Sequence, residues 1–152
     1  MREMDSYGIF ICAVQGDLFE KSVQDWDGSS ASFIKNFMNS DVAAHIDSCR
    51  ILDEAYDIER MMEDLKSRYK ARGSIRFSES SMFWIGYTYR YWSYVHGTTS
   101  RSIYSIANGT EMNGLFEAYH TLDCAKAIER ILEAKGLKPQ LETDIVAKHL
   151  GI

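Results

Sequence analysis

Three features of this 152-residue chain predict an all-α fold. Apolar residues recur at three- and four-residue steps along most of its length. It has a single proline, Pro139, and many strong helix formers. Between the periodic stretches lie the Ser, Thr, Asp and Gly residues that start and stop helices. Together these predict one domain over residues 1–152, a compact bundle of about seven helices around a central aromatic helix.

The first periodic stretch runs from Gly8 to Asp25, with Ile11, Val14, Leu18, Phe19 and Val23 at helical spacing; Gly16 weakens its first half. "DWDGSS" is a turn, and Ser29 or Ser30 caps a helix that ends at Met38 and carries Phe33, Ile34, Phe37 and Met38 on one side. "NSD" breaks the chain before a short helix, Asp41 to Asp47. The longest helix is expected from near Cys49 to Gly73, with a stripe of Leu52, Ala55, Ile58, Met62, Leu65 and Tyr69. Asp57, Glu63, Asp64, Lys66 and Arg68 form its polar side.

"GSIRFSES" reads as a loop, and Ser78 or Ser80 caps the aromatic helix, which Gly97 closes. Thr98 and Thr99 start the next helix, with Ile103, Tyr104, Ile106 and Ala107. Gly109 is expected to close it and Thr110 to cap another, with Met112, Leu115, Phe116 and Tyr119. Thr121 or Asp123 caps "CAKAIERILEAKG", and Pro139 suits the first turn of a last helix, Gln140 to Leu150.

A formal net charge of −5 argues against general affinity for phosphate backbones and suits a basic protein partner. Cys12, Cys49 and Cys124 are an odd, scattered set without a CxxC pair, which suggests reduced thiols in a cytoplasmic protein. The one apolar run near the start, "YGIFICAV", is too short to span a bilayer and is flanked by acids rather than bases, so neither a membrane span nor a leader is expected.

"FWIGYTYRYWSYVHG", from Phe83 to Gly97, holds seven aromatics in fifteen residues. At 100° per residue its rows are Met82, Ile85, Tyr89, Trp92 and His96; Trp84, Thr88, Tyr91 and Val95; and Phe83, Tyr87, Arg90 and Tyr94. No row is polar in the ordinary surface sense, which is the pattern of a central helix. Gly86 lets one neighbour approach closely. A base-stacking surface would need a basic groove, and this stretch has one arginine. Arg90 is expected against Tyr87 and Tyr94, paired with a carboxylate from another helix.

Arg90 and His96 also fit the loose R-x4-6-H pattern of HEPN-type ribonucleases, in which His acts as acid/base and Arg stabilises phosphate charge. A six-residue separation turns the two side chains about 120° apart on a straight helix. Asp41, His45 and Cys49 are spaced as three metal ligands would be, but no fourth ligand can be named, so no metal or other cofactor is assigned. His120 is expected to bond a backbone group at a corner, and His149 sits near a helix end. No phosphate loop, HExxH or GxSxG motif is present.

Three stretches together resemble a family of small bacterial proteins marked by "FMNS", "YWIGYxYRYW" and "HTLD…AIE" segments. The matching positions are Phe37, Met38, Asn39 and Ser40; Trp84, Ile85, Gly86, Tyr87, Tyr89, Arg90, Tyr91 and Trp92; and His120, Thr121, Leu122 and Asp123. Members of that family are encoded beside ADP-ribosyltransferase-like toxins, so the resemblance implies an antitoxin. Somewhat over half of the chain is covered. The family does not hold His at the position of His96, and the chain lacks the "QWxGEEY" type of segment in its middle. The leading expectation is a non-catalytic helical protein that neutralises a toxin from an adjacent gene by direct binding. The alternatives are a HEPN-like ribonuclease using Arg90 and His96, and a homodimeric scaffold without a toxin.

Overall fold

The computed structural model of the chain describes residues 1–48, Leu52 and residues 56–138. Among those residues it contains eight α-helices and no strand. They are α1 (Ser6–Asp25), α2 (Ser30–Met38), α3 (Asp41–Asp47), α4 (Ile58–Arg68), α5 (Glu79–His96), α6 (Ser100–Ile106), α7 (Gly109–Tyr119) and α8 (Cys124–Ala134). The expected all-helical class is what the described residues adopt, and each of these eight helices answers to one of the periodic stretches. The expected last helix, Gln140 to Leu150, lies outside the described residues.

Local sequence sets where each helix begins. Asp5, Ser29, Ser40, Asp57, Ser78, Thr99, Asn108 and Asp123 each precede one of the eight helices, and each side chain accepts a backbone N–H from its first turn. Such a cap is worth about 1 kcal/mol, because it satisfies a donor that has no partner within the helix. Gly97, at φ +70°, ends α5 in the left-handed conformation expected of it.

Two boundaries differ from the sequence expectation. The helix expected from Cys49 to Gly73 is α4 alone: Leu52 is not helical, Tyr56 sits in a bend, and Asp57 starts the helix by accepting the Arg60 N–H at 3.0 Å. Cys49 and Ala55 lie outside the described residues. At its other end Tyr69 is extended, and non-helical backbone follows to Ser78. There the Arg72 carbonyl accepts the Ser29 N–H at 2.7 Å and the Ile75 carbonyl accepts the Ser30 N–H at 2.9 Å. The start of α2 thus bonds to the segment that follows α4, a tertiary pairing that periodicity does not record.

The second correction concerns α7. Asn108, not Thr110, is its cap, and Gly109 is its first residue rather than the end of α6. A side chain at Gly109 would meet Ile34 at 2.7 Å, so the glycine serves a close helix approach.

The core is built on α5. It packs along α1 and also touches α6, α7 and α8, while the far side of α1 meets α2 and α4. Ile85, Tyr89 and Trp92 of α5 are buried with Leu18 and Phe19 of α1 and Phe33, Ile34 and Phe37 of α2. Phe19 presents its edge to Phe33 at 5.3 Å, Phe37 at 5.1 Å and Tyr89 at 6.3 Å between ring centres, the favourable T-shaped arrangement.

Gly86 sets how close α1 and α5 come. A Cβ there would lie 2.6 Å from the Gln15 carbonyl oxygen and 2.7 Å from the Phe19 ring. Gly86→Ala gains about 1 kcal/mol of helix propensity but drives an atom into the backbone of α1. The expected net result in urea unfolding is a loss of about 1–3 kcal/mol; an unchanged or raised midpoint would show that the two helices separate freely.

Candidate functional site

Arg90 lies at the centre of a buried polar network. Its side chain is 1% exposed. The guanidinium donates to Gln15 Oε1 of α1 through Nε at 2.7 Å, to Asp47 Oδ1 through Nη1 at 2.6 Å, and to Ser100 Oγ through Nη2 at 3.1 Å. Gln15 in turn donates to the Gly86 carbonyl at 3.0 Å. Asp47 also accepts the Ser100 hydroxyl at 2.6 Å and, through Oδ2, the Ser100 N–H at 2.8 Å. Ser93 adds a longer hydroxyl contact to Asp47 at 3.3 Å. Among the described residues no buried side-chain nitrogen or oxygen lacks a partner.

The carboxylate expected for Arg90 is therefore Asp47, the last residue of α3. That position is unfavourable for an acid within its own helix, but it places the carboxylate at the start of α6, where free N–H groups welcome one. The polar cage is what holds the Arg90 guanidinium in place. The Tyr94 ring carries the Arg2 guanidinium at 4.6 Å, and its hydroxyl donates to Asp5 at 2.7 Å.

His96 has different surroundings. It is half-buried beside Trp92, with ring centres 6.5 Å apart, and lines a cavity of about 230 Å3 with Ser102, Ile106, Leu132 and Leu137. Burial, and secondarily the positive N-terminus, hold its pKa below the ordinary imidazole value. Arg90 and His96 thus belong to separate environments, one interior and fully engaged, the other at the α6–α8 edge. An Arg whose donors are all turned inward offers none to a phosphate.

Of the three segments that carry the resemblance, two fall at helix ends and caps and the third lies in the middle of α5. Phe37 and Met38 are buried in the core, Asn39 ends α2 and bonds the Lys35 carbonyl at 2.8 Å, and Ser40 caps α3. Of the matching positions on α5, Trp84, Ile85, Gly86, Tyr89 and Trp92 are buried, whereas Tyr87 and Tyr91 are half-buried on its outer side. "HTLD" repeats the helix-end design: His120 ends α7, Thr121 is exposed, Leu122 packs on the core, and Asp123 caps α8 by accepting the Lys126 N–H at 2.8 Å.

Asp41 and His45 are both exposed, Asp41 near Arg68 at 3.3 Å and His45 edge-on to Tyr56 at 6.0 Å; Cys49 and His149 lie outside the described residues. Among the described residues no three His, Cys, Asp or Glu side chains gather as a metal site would need. Burial pushes the Cys12 thiol up to about 12 and also raises Cys124, so neither is poised as a thiolate. No described helix is long and apolar enough to cross a membrane.

One surface feature was not anticipated from the sequence. Between α1, α5 and α7 lies an open cleft of about 490 Å3 lined by Glu20, Ser80, Phe83, Trp84, Tyr87, Phe116 and His120. Phe83 lies down against α1 because Gly16 has no side chain; a Cβ there would meet the ring at 2.7 Å. Phe83 and Tyr87 are tilted neighbours at 5.9 Å, Trp84 meets Phe116 edge-on at 5.9 Å, and His120 stacks on Phe116 at 4.6 Å. Burial raises the pKa of Tyr87, which keeps it a neutral hydroxyl.

Fold and site define a helical bundle with an internal ionic network and an open aromatic cleft. No family model, curated protein or solved structure matches the chain.

The network predicts an asymmetry. Asp47→Ala removes the carboxylate held 2.6 Å from the buried Arg90 guanidinium and is expected to cost about 3–5 kcal/mol in denaturant unfolding. Arg90→Met leaves Asp47 with its Ser100 donors and some solvent, so its cost is expected to be smaller; the reverse order would discount the pair. For His96 the sign follows from its lowered pKa: the unfolded chain binds the proton more readily, so this contribution to stability is complete above about pH 6.5 and falls away in more acidic solution. His96→Gln is expected to flatten that part of the stability profile in urea titrations across pH 5–7.

Proposed function

We propose that this chain is a non-catalytic helical binding protein, the neutralising partner of an ADP-ribosyltransferase-like toxin encoded beside it. It acts by seating a helical surface over the partner's active cleft, with no chemistry of its own. The observation that carries this reading is the division of α5. Arg90, a phosphate-binding candidate, is held inside by Gln15, Asp47 and Ser100, while Phe83, Tyr87 and Tyr91 face outward as half-buried aromatics. Aromatic side chains of that kind are enriched where proteins meet. The resemblance of the "FMNS", aromatic-helix and "HTLD" segments supplies the class of partner. The net charge of −5 suits a basic, nucleotide-binding surface and speeds encounter with it.

Co-expression with the product of the adjacent reading frame is expected to give a complex that survives size-exclusion chromatography and to restore growth to cells expressing that product. Absence of both sinks the reading. The same column run on the chain alone tests the homodimeric scaffold. The ribonuclease alternative requires RNA cleavage by the purified chain that is lost in a folded His96→Ala variant; the expected result is no cleavage by either protein.

A further inference from the structure

We infer that the cleft between α1, α5 and α7 is a receptor for an arginine side chain of a protein partner. The inference rests on the reading of this chain as a binding protein and names the chemistry its surface selects. Four aromatic rings (Phe83, Trp84, Tyr87 and Phe116) line the cleft, and it holds no Lys or Arg. Its volume of about 490 Å3 lies in the range of ordinary ligand sites.

Three sources of negative potential converge there. The first is the ring faces, whose quadrupoles attract a cation lying over them. The second is Glu20, a half-buried carboxylate that forms no ion pair among the described residues. The third is the C-terminal end of α7, the negative end of that helix's dipole, where His120 follows the last helical residue. The His120 ring adds an acceptor. Its Nδ1 lies 2.7 Å from the Phe116 carbonyl, which can only accept, so Nδ1 carries the hydrogen and the neutral ring keeps a lone pair on Nε2.

Of the common organic cations, a guanidinium fits this lining best. It is planar, stacks on rings, and has five donors for a carboxylate and an imidazole nitrogen at the same time. The chain's overall charge of −5 favours the same sign of ligand. Citrulline has nearly the same shape as arginine without the charge, which separates cation recognition from apolar fit.

The test titrates the full-length, isotopically labelled chain with N-acetyl-Gly-Arg-Gly-amide, its citrulline counterpart and choline, and follows the Trp84 indole N–H and Tyr87 ring signals by NMR. The arginine peptide is expected to saturate these signals, with the citrulline peptide about tenfold weaker. Glu20→Gln is expected to weaken arginine binding about threefold and Tyr87→Leu by a similar factor. Equal binding of the citrulline peptide, no saturable shift, or choline binding more tightly than the arginine peptide would each overturn the inference. Circular dichroism checks the fold of Tyr87→Leu, and Glu20→Gln carries the test if that variant does not fold. The partner complex separates the two readings. If the complex forms as strongly with Glu20→Gln and Tyr87→Leu as with the unaltered chain, the arginine receptor falls and the binding protein stands. If the unaltered chain forms no complex, the reading of a toxin partner falls.

Discussion

A guanidinium that is 1% exposed cannot remain charged in a protein interior unless its donors are met by fixed acceptors, and in this molecule that requirement ties together four of the eight described helices. Gln15 comes from the middle of α1, Asp47 from the end of α3, Ser93 from α5 itself and Ser100 from the first turn of α6. Aromatic contacts tolerate sliding and repacking; hydrogen bonds of 2.6–2.8 Å do not. Hydrophobic burial makes the bundle compact, and the Arg90 cage fixes which helix faces which.

That arrangement also divides α5 by function. Its buried rows support the core, with Gly86 drawing α1 close enough for Gln15 to bond across the interface. Its outer residues Phe83 and Tyr87, with Phe116 and His120 of the α7 corner, line a cleft with aromatic walls. Both outcomes depend on small residues of the α1–α5 pair. A Cβ at Gly86 would press on the Gln15 carbonyl and the Phe19 ring, and one at Gly16 would push on the Phe83 ring that lines the cleft.

The sequence disclosed the helices more fully than their partners. Caps were readable because they are local: Ser29, Ser78 and Asp123 are short polar residues before periodic runs, and each accepts a backbone N–H. The far end of the stretch after Cys49 was misread because the segment that follows α4 pairs with the start of α2 through the Arg72 and Ile75 carbonyls, an interaction between segments that helical periodicity cannot reveal. The burial of Arg90 and its need for a carboxylate were legible from its aromatic neighbours, but the identity of that carboxylate was not. Two local misfits pointed to it: Asp47 is an acid at a helix C-terminus, and Gln15 is a polar residue between Ile11 and Leu18 on an apolar face. The aromatic cleft had no sequence signal of its own, since Glu20, Phe83 and Phe116 belong to three helices and each reads locally as an ordinary residue of its helix.

The pairing of α1 with α5 has a consequence for synthesis. Gln15 and the Gly86 carbonyl it bonds are 71 residues apart. On a ribosome adding about 5–20 residues per second, Gly86 is joined to the chain about 4–14 s after Gln15. During that interval Ile11, Leu18 and Phe19 have no α5 to cover them, and α2, with Phe33 and Phe37, is the first helix to follow that can shield Phe19. An α1–α2 hairpin is therefore the natural early species of the nascent chain, and the arrival of α5 converts it into the native bundle.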